Sequence, residues 1–310
     1  MRKRKQSLPT LAVTGGTGFV GSHLIALART RGYPIRALTR KWKPPEEGVE
    51  WVEGTLDRPE SLTRLCERSD AAIHMAGAIN APDRAEFEAV NAGGTANMID
   101  AARKQGLRRF IHISSLSARE PDLSDYGWSK ARSERLVAAS PLGWTIIRPP
   151  AVYGPGDRET FELFRMARRG LVPLPPKGRM SVIHADDLCR LILDLLDADD
   201  SWGEIYEPDD GAELGWDHRD FARALGEAFG KRTMPLSMPR LALRAASSAD
   251  RLLRRGKAKL TADRVSYFCH PDWVAAPDKR PPPQLWQAQV PTPEGLAATA
   301  EWYREQGWLK

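Results

Sequence analysis

The chain has 310 residues, 42% of them hydrophobic and 28% charged, with a formal net charge of +6. This is ordinary globular composition, enough for one large domain or two packed ones, and its basic excess is too diffuse to argue for nucleic acid. No stretch approaches the ~18 apolar residues of a spanning helix, and the scattered Cys66, Cys189 and Cys269 form neither a disulfide framework nor a metal-ligand spacing.

In chain order, the basic start at Arg2–Lys5 lacks the apolar core of a signal peptide and reads as a solvated tail. A cytoplasmic, reducing compartment is the expectation. Strands are then predicted at Leu11–Thr14, Pro34–Leu38, Val49–Gly54, Asp70–Gly77, Arg108–Ser115 and Gly143–Pro149. Helical periodicity fills the gaps, notably at Gly18–Arg31, Phe87–Lys104 and Trp128–Ala139. Strand–helix alternation implies a parallel sheet covered on both faces, and right-handed crossovers make it a doubly wound, Rossmann-type α/β fold. The expected division is a dinucleotide-binding domain over residues 1–150, to which 181–200 return, and a smaller, mostly helical substrate region over 151–310. "SVIHADDLCRLILDLLD" reads as a strand, a cap at Asp186 or Asp187, and a helix.

"TGGTGFVG" sets Gly15, Gly18 and Gly21 three residues apart between a strand and a helix. In that context the first glycine permits the tight turn, the second admits a phosphate to the backbone, and the third packs helix on sheet. The helix N-terminus offers N–H groups and positive potential to a pyrophosphate. The second strand ends "ALTRKWK" without an acid, and Arg40 there suits the 2′-phosphate of NADP(H) over the 2′-hydroxyl of NAD(H). Further on, Tyr126 and Lys130 lie four apart, on one helical face, and "FIHISS" sets Ser114 and Ser115 at the C-terminal end of a strand, where open α/β sheets bind ligands.

With these motifs in this order, and with "DAAIHMAG", "NAGGTANMIDAA", "RPPAVYGPGD" and "SVIHADDL", the sequence resembles the extended short-chain dehydrogenase/reductase family, also called the NAD-dependent epimerase/dehydratase family, over roughly 11–196. The C-terminal "EGLAATAEWYREQGWL" is similar to the end of its dihydroflavonol-reductase-like branch. The resemblance implies an oxidoreductase in which Tyr126 donates a proton to a carbonyl oxygen, Lys130 lowers the phenol pKa and bonds the nicotinamide ribose, and Ser115 orients the substrate; Ser114 is the alternative to Ser115. It implies cofactor contacts from Gly15, Thr17, Gly18, Phe19, Val20, Arg40, Thr55, Leu56, Ala76, Gly77, Asn91, Tyr126, Lys130, Pro149 and Val152, with no metal.

Departures from the family pattern indicate the chemistry. Leu116 and Ser117 stand where dehydratases of the family carry an Asp–Glu pair, Ala151 stands where sugar-nucleotide epimerases keep an Asn, and Arg40 favours NADP(H). These favour a reductase of a small, hydrophobic carbonyl (or oxidation of the matching alcohol), with a pocket expected from Arg119, Trp128, Val152, Tyr153, Phe161 and His184. His184 also has a purely structural reading. A sugar-nucleotide epimerase and an NADPH-binding accessory subunit without catalysis are the alternatives, and a homodimer stays open. Met238–Leu260 places Met238, Leu241, Ala245, Ala249 and Leu252 near one helical stripe with arginines around it. It reads either as core packing or as a basic helix lying on the inner face of a membrane.

Overall fold

The computed structural model describes residues 8–254 and 261–309. The tail at Arg2–Lys5 and the last six residues of the Met238–Leu260 stretch lie outside them. The chain forms two compact units that interleave in sequence. The first comprises Met1–Ser114, Ser129–Ile147 and Cys189–Ile205, and the second Ser115–Trp128, Arg148–Leu188 and Tyr206–Lys310.

The elements run β1 (Leu11–Thr14), α1 (Phe19–Thr30), β2 (Ile35–Thr39), β3 (Val49–Glu53), α2 (Pro59–Cys66), β4 (Ala71–His74), α3 (Arg84–Phe87), α4 (Gly94–Lys104), β5 (Arg109–Ile113), α5 (Asp125–Ala138) and β6 (Gly143–Ile147). Then follow β7 (Ala151–Tyr153), α6 (Phe161–Arg168), β8 (Leu171–Leu174), β9 (Arg179–Met180), β10 (Val182–His184), α7 (Ala185–Asp194) and β11 (Glu204–Tyr206). The chain closes with β12 (Trp216–Asp217), α8 (His218–Glu227), β13 (Met234–Ser237), α9 (Arg240–Arg254), α10 (Ala262–Phe268), β14 (Asp272–Trp273) and α11 (Thr292–Glu305).

The main sheet has seven strands in the order β11-β6-β5-β4-β1-β2-β3. All pairings among β1–β6 are parallel, in the Rossmann arrangement. β1, β2, β4 and β5 are buried along their whole length, the pattern of strands covered on both faces. Leu62, Leu65, Met98, Phe110 and Ile146 pack into the core of this unit. The six predicted strands form; the seventh, β11, is only three residues long, too short to announce itself by periodicity.

The helix predicted over Phe87–Lys104 is instead three segments. A π-helical turn at Glu88–Gly93 separates α3 from α4, and Asn91 sits inside it, buried. Such a turn re-aims the side chains of one helical stretch without ending it. The second unit carries short two- and three-stranded ladders, β10-β7, β12-β9-β14 and β13-β8, around a core that includes Tyr153, Phe164, Phe221, Leu296 and Tyr303. Asp186 and Asp187 fall in the first turn of α7 rather than before it. Asp187 Oδ2 instead accepts the backbone N–H groups of Gln289 and Val290, each at 3.0 Å.

Candidate active site

In the first unit the glycine loop follows β1. Gly15 has φ +78°, and a Cβ there would stand 2.7 Å from the backbone nitrogen of Ala76. A Cβ on Gly21 would stand 2.1 Å from the Gly15 carbonyl oxygen. Only glycine fits either place, so the loop lies directly on the chain leaving β4 while α1 closes on the loop. The N-cap residue of α1 is Gly18, which brings no side-chain cap, so the first-turn N–H groups suit an external acceptor. Thr17 and Gly18 are exposed at this helix start, and Phe19 and Val20 are half-buried behind it.

β4 and β2 flank β1 on opposite sides, which makes the β1–β4 edge the switch point of the sheet. Because these strands are parallel, Gly15, Arg40, Thr55, Leu56, Ala76 and Gly77 all follow their C-terminal ends. Arg40 is exposed just past β2 and has no acidic partner among the described residues. The Leu56 carbonyl is tied to α4 by Asn97 Nδ2 at 2.8 Å.

Behind this edge lies a chain of buried polar groups. Thr14 Oγ1 bonds His74 Nδ1 at 2.7 Å, and His74 Nε2 bonds Thr95 Oγ1 at 3.0 Å. The Thr95 hydroxyl donates to the Asn91 carbonyl at 2.6 Å. Asn91 Nδ2 donates to the Ser129 hydroxyl at 2.8 Å and to the Ala78 carbonyl at 3.0 Å, while Asn91 Oδ1 accepts from Ala78 N–H at 2.7 Å. The π turn thus fixes Asn91 against the strand-end loop after β4. His112 stacks on His74 with centroids 5.4 Å apart and bonds Ser133 Oγ at 3.0 Å. Burial, with the Lys130 charge adding, lowers His74 to about 3 and His112 well below its ordinary value, so both rings are neutral.

Lys130 is buried on α5, and its ammonium donates to the Ile113 carbonyl at 2.7 Å. Burial lowers its pKa to about 8, opposed by the nearby Glu134 carboxylate. Glu134 Oε1 also accepts the Ser114 hydroxyl at 2.5 Å. Ser114 is thereby committed to the interior of this unit.

In the second unit Ser115 caps a single 3-10 turn, Leu116–Arg119. Its Oγ accepts from the Ser117 N–H at 3.2 Å and the Ser117 hydroxyl at 2.9 Å. The Tyr126 hydroxyl hydrogen-bonds the Ser115 side chain. The expectation is a lowered Tyr126 pKa; burial instead raises it, opposed by the hydrogen bond to Ser115 and by the Arg264 charge. Asp263 Oδ1 accepts the Asp125 N–H at 2.7 Å, anchoring the start of α5, and Arg264 is held by Glu159 at 2.9 Å. The Tyr267 phenol lies close enough for Tyr126 to raise its pKa, behind burial. Asp263, Arg264 and Tyr267 surround Tyr126 from α10, and no motif in the sequence announced them. Pro149 meets the serine turn through Leu116 N–H at 3.0 Å, and Val152 pairs with Ile183 in the β7–β10 ladder.

Four of the expected pocket residues serve the fold. Tyr153 is 1% exposed in the core, with His184 edge-on at 5.3 Å. Phe161 packs edge-on against Tyr303 and Trp308. Arg119 donates to the carbonyls of Val274 and Asp272, both at 2.8 Å. Aromatic or apolar character marks a buried wall and a pocket wall alike, and sequence does not separate them. Among the described residues no group of three or more His, Cys, Asp or Glu side chains is placed to hold a metal ion.

Known proteins resemble this chain in sequence and in fold. A ceramide reductase of Caulobacter vibrioides (strain NA1000 / CB15N) is 33% identical over 318 residues, covering 96% of each chain. A UDP-glucose 4-epimerase of Vibrio cholerae is 27% identical and covers 74% of this chain and 79% of its own. The solved structure of MoeE5 with UDP-glucuronic acid and NAD superposes with a TM-score of 0.73 at 22% identity, over 96% of this chain and 99% of its own, which speaks for the fold. The model of the NAD dependent epimerase/dehydratase family matches residues 11–207, and with the full-length relative it establishes that the chain belongs to that family.

Proposed function

We propose that this protein is an NADP(H)-dependent reductase of a carbonyl on a lipophilic, ceramide-like substrate. The observation that carries the reading is the hydrogen bond between Tyr126 and Ser115 at the end of β5, with Lys130 one helical turn further along α5. The cradle fits a dinucleotide: Gly15 and Gly21 exclude any Cβ, Gly18 at the N-cap of α1 brings no side-chain cap, and Arg40 stands exposed past β2 with no acidic partner among the described residues. When bound, the cofactor supplies hydride to the carbonyl carbon.

The chain's own residues do the rest. Ser115 Oγ holds the carbonyl oxygen beside the Tyr126 hydroxyl, and Ser114 is engaged by Glu134 and takes no part. Tyr126 delivers its proton to that oxygen as negative charge develops there. Its raised pKa keeps it a protonated phenol at neutral pH, the form that reduction requires. Lys130 would hold the nicotinamide ribose, and Asn91, bonded to Ala78, would support the loop after β4 that faces the cofactor. The 33% identity to a ceramide reductase along the whole chain supports reduction over epimerisation, and Leu116 and Ser117 leave dehydration without its carboxylates.

The test is NADPH consumption with the keto form of a ceramide in detergent micelles, against a short-chain ketone. Turnover of the lipid, faster with NADPH than with NADH, is expected. Interconversion of UDP-sugars without net cofactor use would overturn the reading in favour of an epimerase.

A further inference from the structure

We infer that the second unit carries a docking surface for an anionic lipid bilayer, built from the β8–β13 ladder, helix α9 and an adjoining cationic cleft. Three observations meet there. In the ladder, Leu171 pairs with Met234 and Pro173 with Leu236. Residues of one strand alternate between faces, so these four share one side. Val172 and Leu174 enter the core from the other side, while Leu171, Met234 and Leu236 stand 41%, 65% and 45% exposed.

Two residues later α9 begins. Leu241, Ala245, Ala249 and Leu252 recur at helical spacing, and all are exposed, the two leucines at 78% each. Packing of this stripe into a core is therefore not its role. Arg240 and Arg244, both exposed, flank it. At the other end of the ladder opens a cleft of about 640 Å³ lined by Arg165, Arg168, Arg169 and Lys231, with Trp308 and Leu309. Lys231 Nζ donates to the Arg168 carbonyl at 2.9 Å and Met234 N–H to that of Gly170 at 2.8 Å, so the cleft and the exposed ladder are contiguous. Glu162 pairs with Arg165, and no Asp or Glu stands among the described residues of the lining.

Exposed aliphatic side chains beside a cleft lined by four cations match the two layers of a lipid surface. The aliphatics enter the boundary of the acyl region, and the cations meet the headgroup phosphates. Nucleic acid would satisfy the cations and leave the leucines in water. Among the described residues no helix is long and apolar enough to cross a membrane, so the contact is a peripheral one.

The test is flotation of the full-length protein with phosphatidylcholine vesicles, with and without phosphatidylglycerol, at low and high salt. Anionic vesicles should carry at least ~10-fold more protein than neutral ones, and salt that shortens the screening length should release it. Leu241→Glu/Leu252→Glu and, separately, Arg168→Ala/Arg169→Ala/Lys231→Ala should each cut the floated fraction several-fold, with melting temperatures confirming that both variants fold. Inorganic phosphate should not strip the protein from vesicles at concentrations that leave ionic strength unchanged. Absence of flotation at low salt, equal flotation on neutral vesicles, or charge-dependent flotation that neither variant weakens would each overturn the inference. Turnover of a detergent-dispersed substrate reads the reductase proposal separately, because neither variant touches Ser115, Tyr126 or Lys130.

Discussion

In the first unit, polar groups are drawn into the interior and hydrogen-bonded there: His74, His112, Asn91 and Lys130 are all nearly inaccessible and each makes a buried hydrogen bond, with His112 Nδ1 left without a partner among the described residues. In the second, apolar groups stand in the open: Met234, Leu241 and Leu252 are each more than half exposed. Both depart from the simple partition of apolar inside and polar outside, and for different reasons. A buried polar network costs desolvation and returns rigid geometry, which suits the support of a reacting centre. An exposed aliphatic face costs solvation and returns nothing until something covers it. The contrast sets an interior that fixes the geometry of polar groups against an open face for which a docking role is proposed, and it can be attacked from both sides.

The largest effect is expected where orientation ends in chemistry. Tyr126→Phe should lower turnover by ~10²-fold or more while leaving cofactor affinity nearly intact, because only the transferable proton is lost. Lys130→Met should impair both, through the ribose contact. Single-turnover kinetics with a cofactor titration separates the two. Unchanged turnover in Tyr126→Phe would revive the reading of a cofactor-binding subunit without catalysis.

Next comes cofactor choice. Arg40→Ala should cost ~1.5–3 kcal/mol of NADPH binding, the range for a hydrogen bond to a charged group, and barely change NADH. Calorimetry with both cofactors measures this, and equal losses would remove Arg40 from the 2′-phosphate.

How far these residues were legible in sequence follows the same divide. The glycine loop is legible because its turn depends on local spacing, and the strands because a doubly covered sheet needs unbroken apolar runs; the roles of Arg40, Tyr126 and Lys130 are expectations of the same local kind, which the experiments above test. The π turn at Asn91 was not readable, since "EAVNAGGTA" keeps helical character whether or not one residue is inserted into the turn. Nor was the shell of Asp263, Arg264 and Tyr267, which reaches Tyr126 from more than a hundred residues away in the chain. The direction of the Tyr126 pKa failed for a related reason: a nearby ammonium can be read from spacing, whereas burial of the phenol cannot.

The buried histidines give a smaller and pH-dependent effect. His74 is neutral in the fold, with its pKa lowered to about 3, but titrates near 6.5 when unfolded. Its contribution to stability is fully present above the unfolded value and is lost as pH falls from there through the folded one. At pH 5 the His74 share of the loss is about 2 kcal/mol. Urea unfolding between neutrality and pH 5 should show a slope that His74→Gln reduces, with His112 supplying part of the remainder. Identical slopes in the two proteins would mean that His74 reaches solvent in the folded state.

The smallest effect falls on the exposed side of the contrast, and its smallness is informative. If Leu241 and Leu252 belonged to a core, replacing both by Glu would bury charge and cost several kcal/mol. At 78% exposure each, they lose little on folding and gain little from their neighbours. Leu241→Glu/Leu252→Glu should therefore leave the unfolding free energy within about 0.5 kcal/mol per site, the range for exposed positions. The added negative charges near Arg240 and Arg244 would if anything stabilise the free protein slightly, since exposed pairs contribute at most ~1 kcal/mol. Denaturant midpoints of the free protein, measured without lipid, decide the point. A large loss of stability would show that α9 is covered by the protein's own chain, and the open face of the second unit would then be part of its interior.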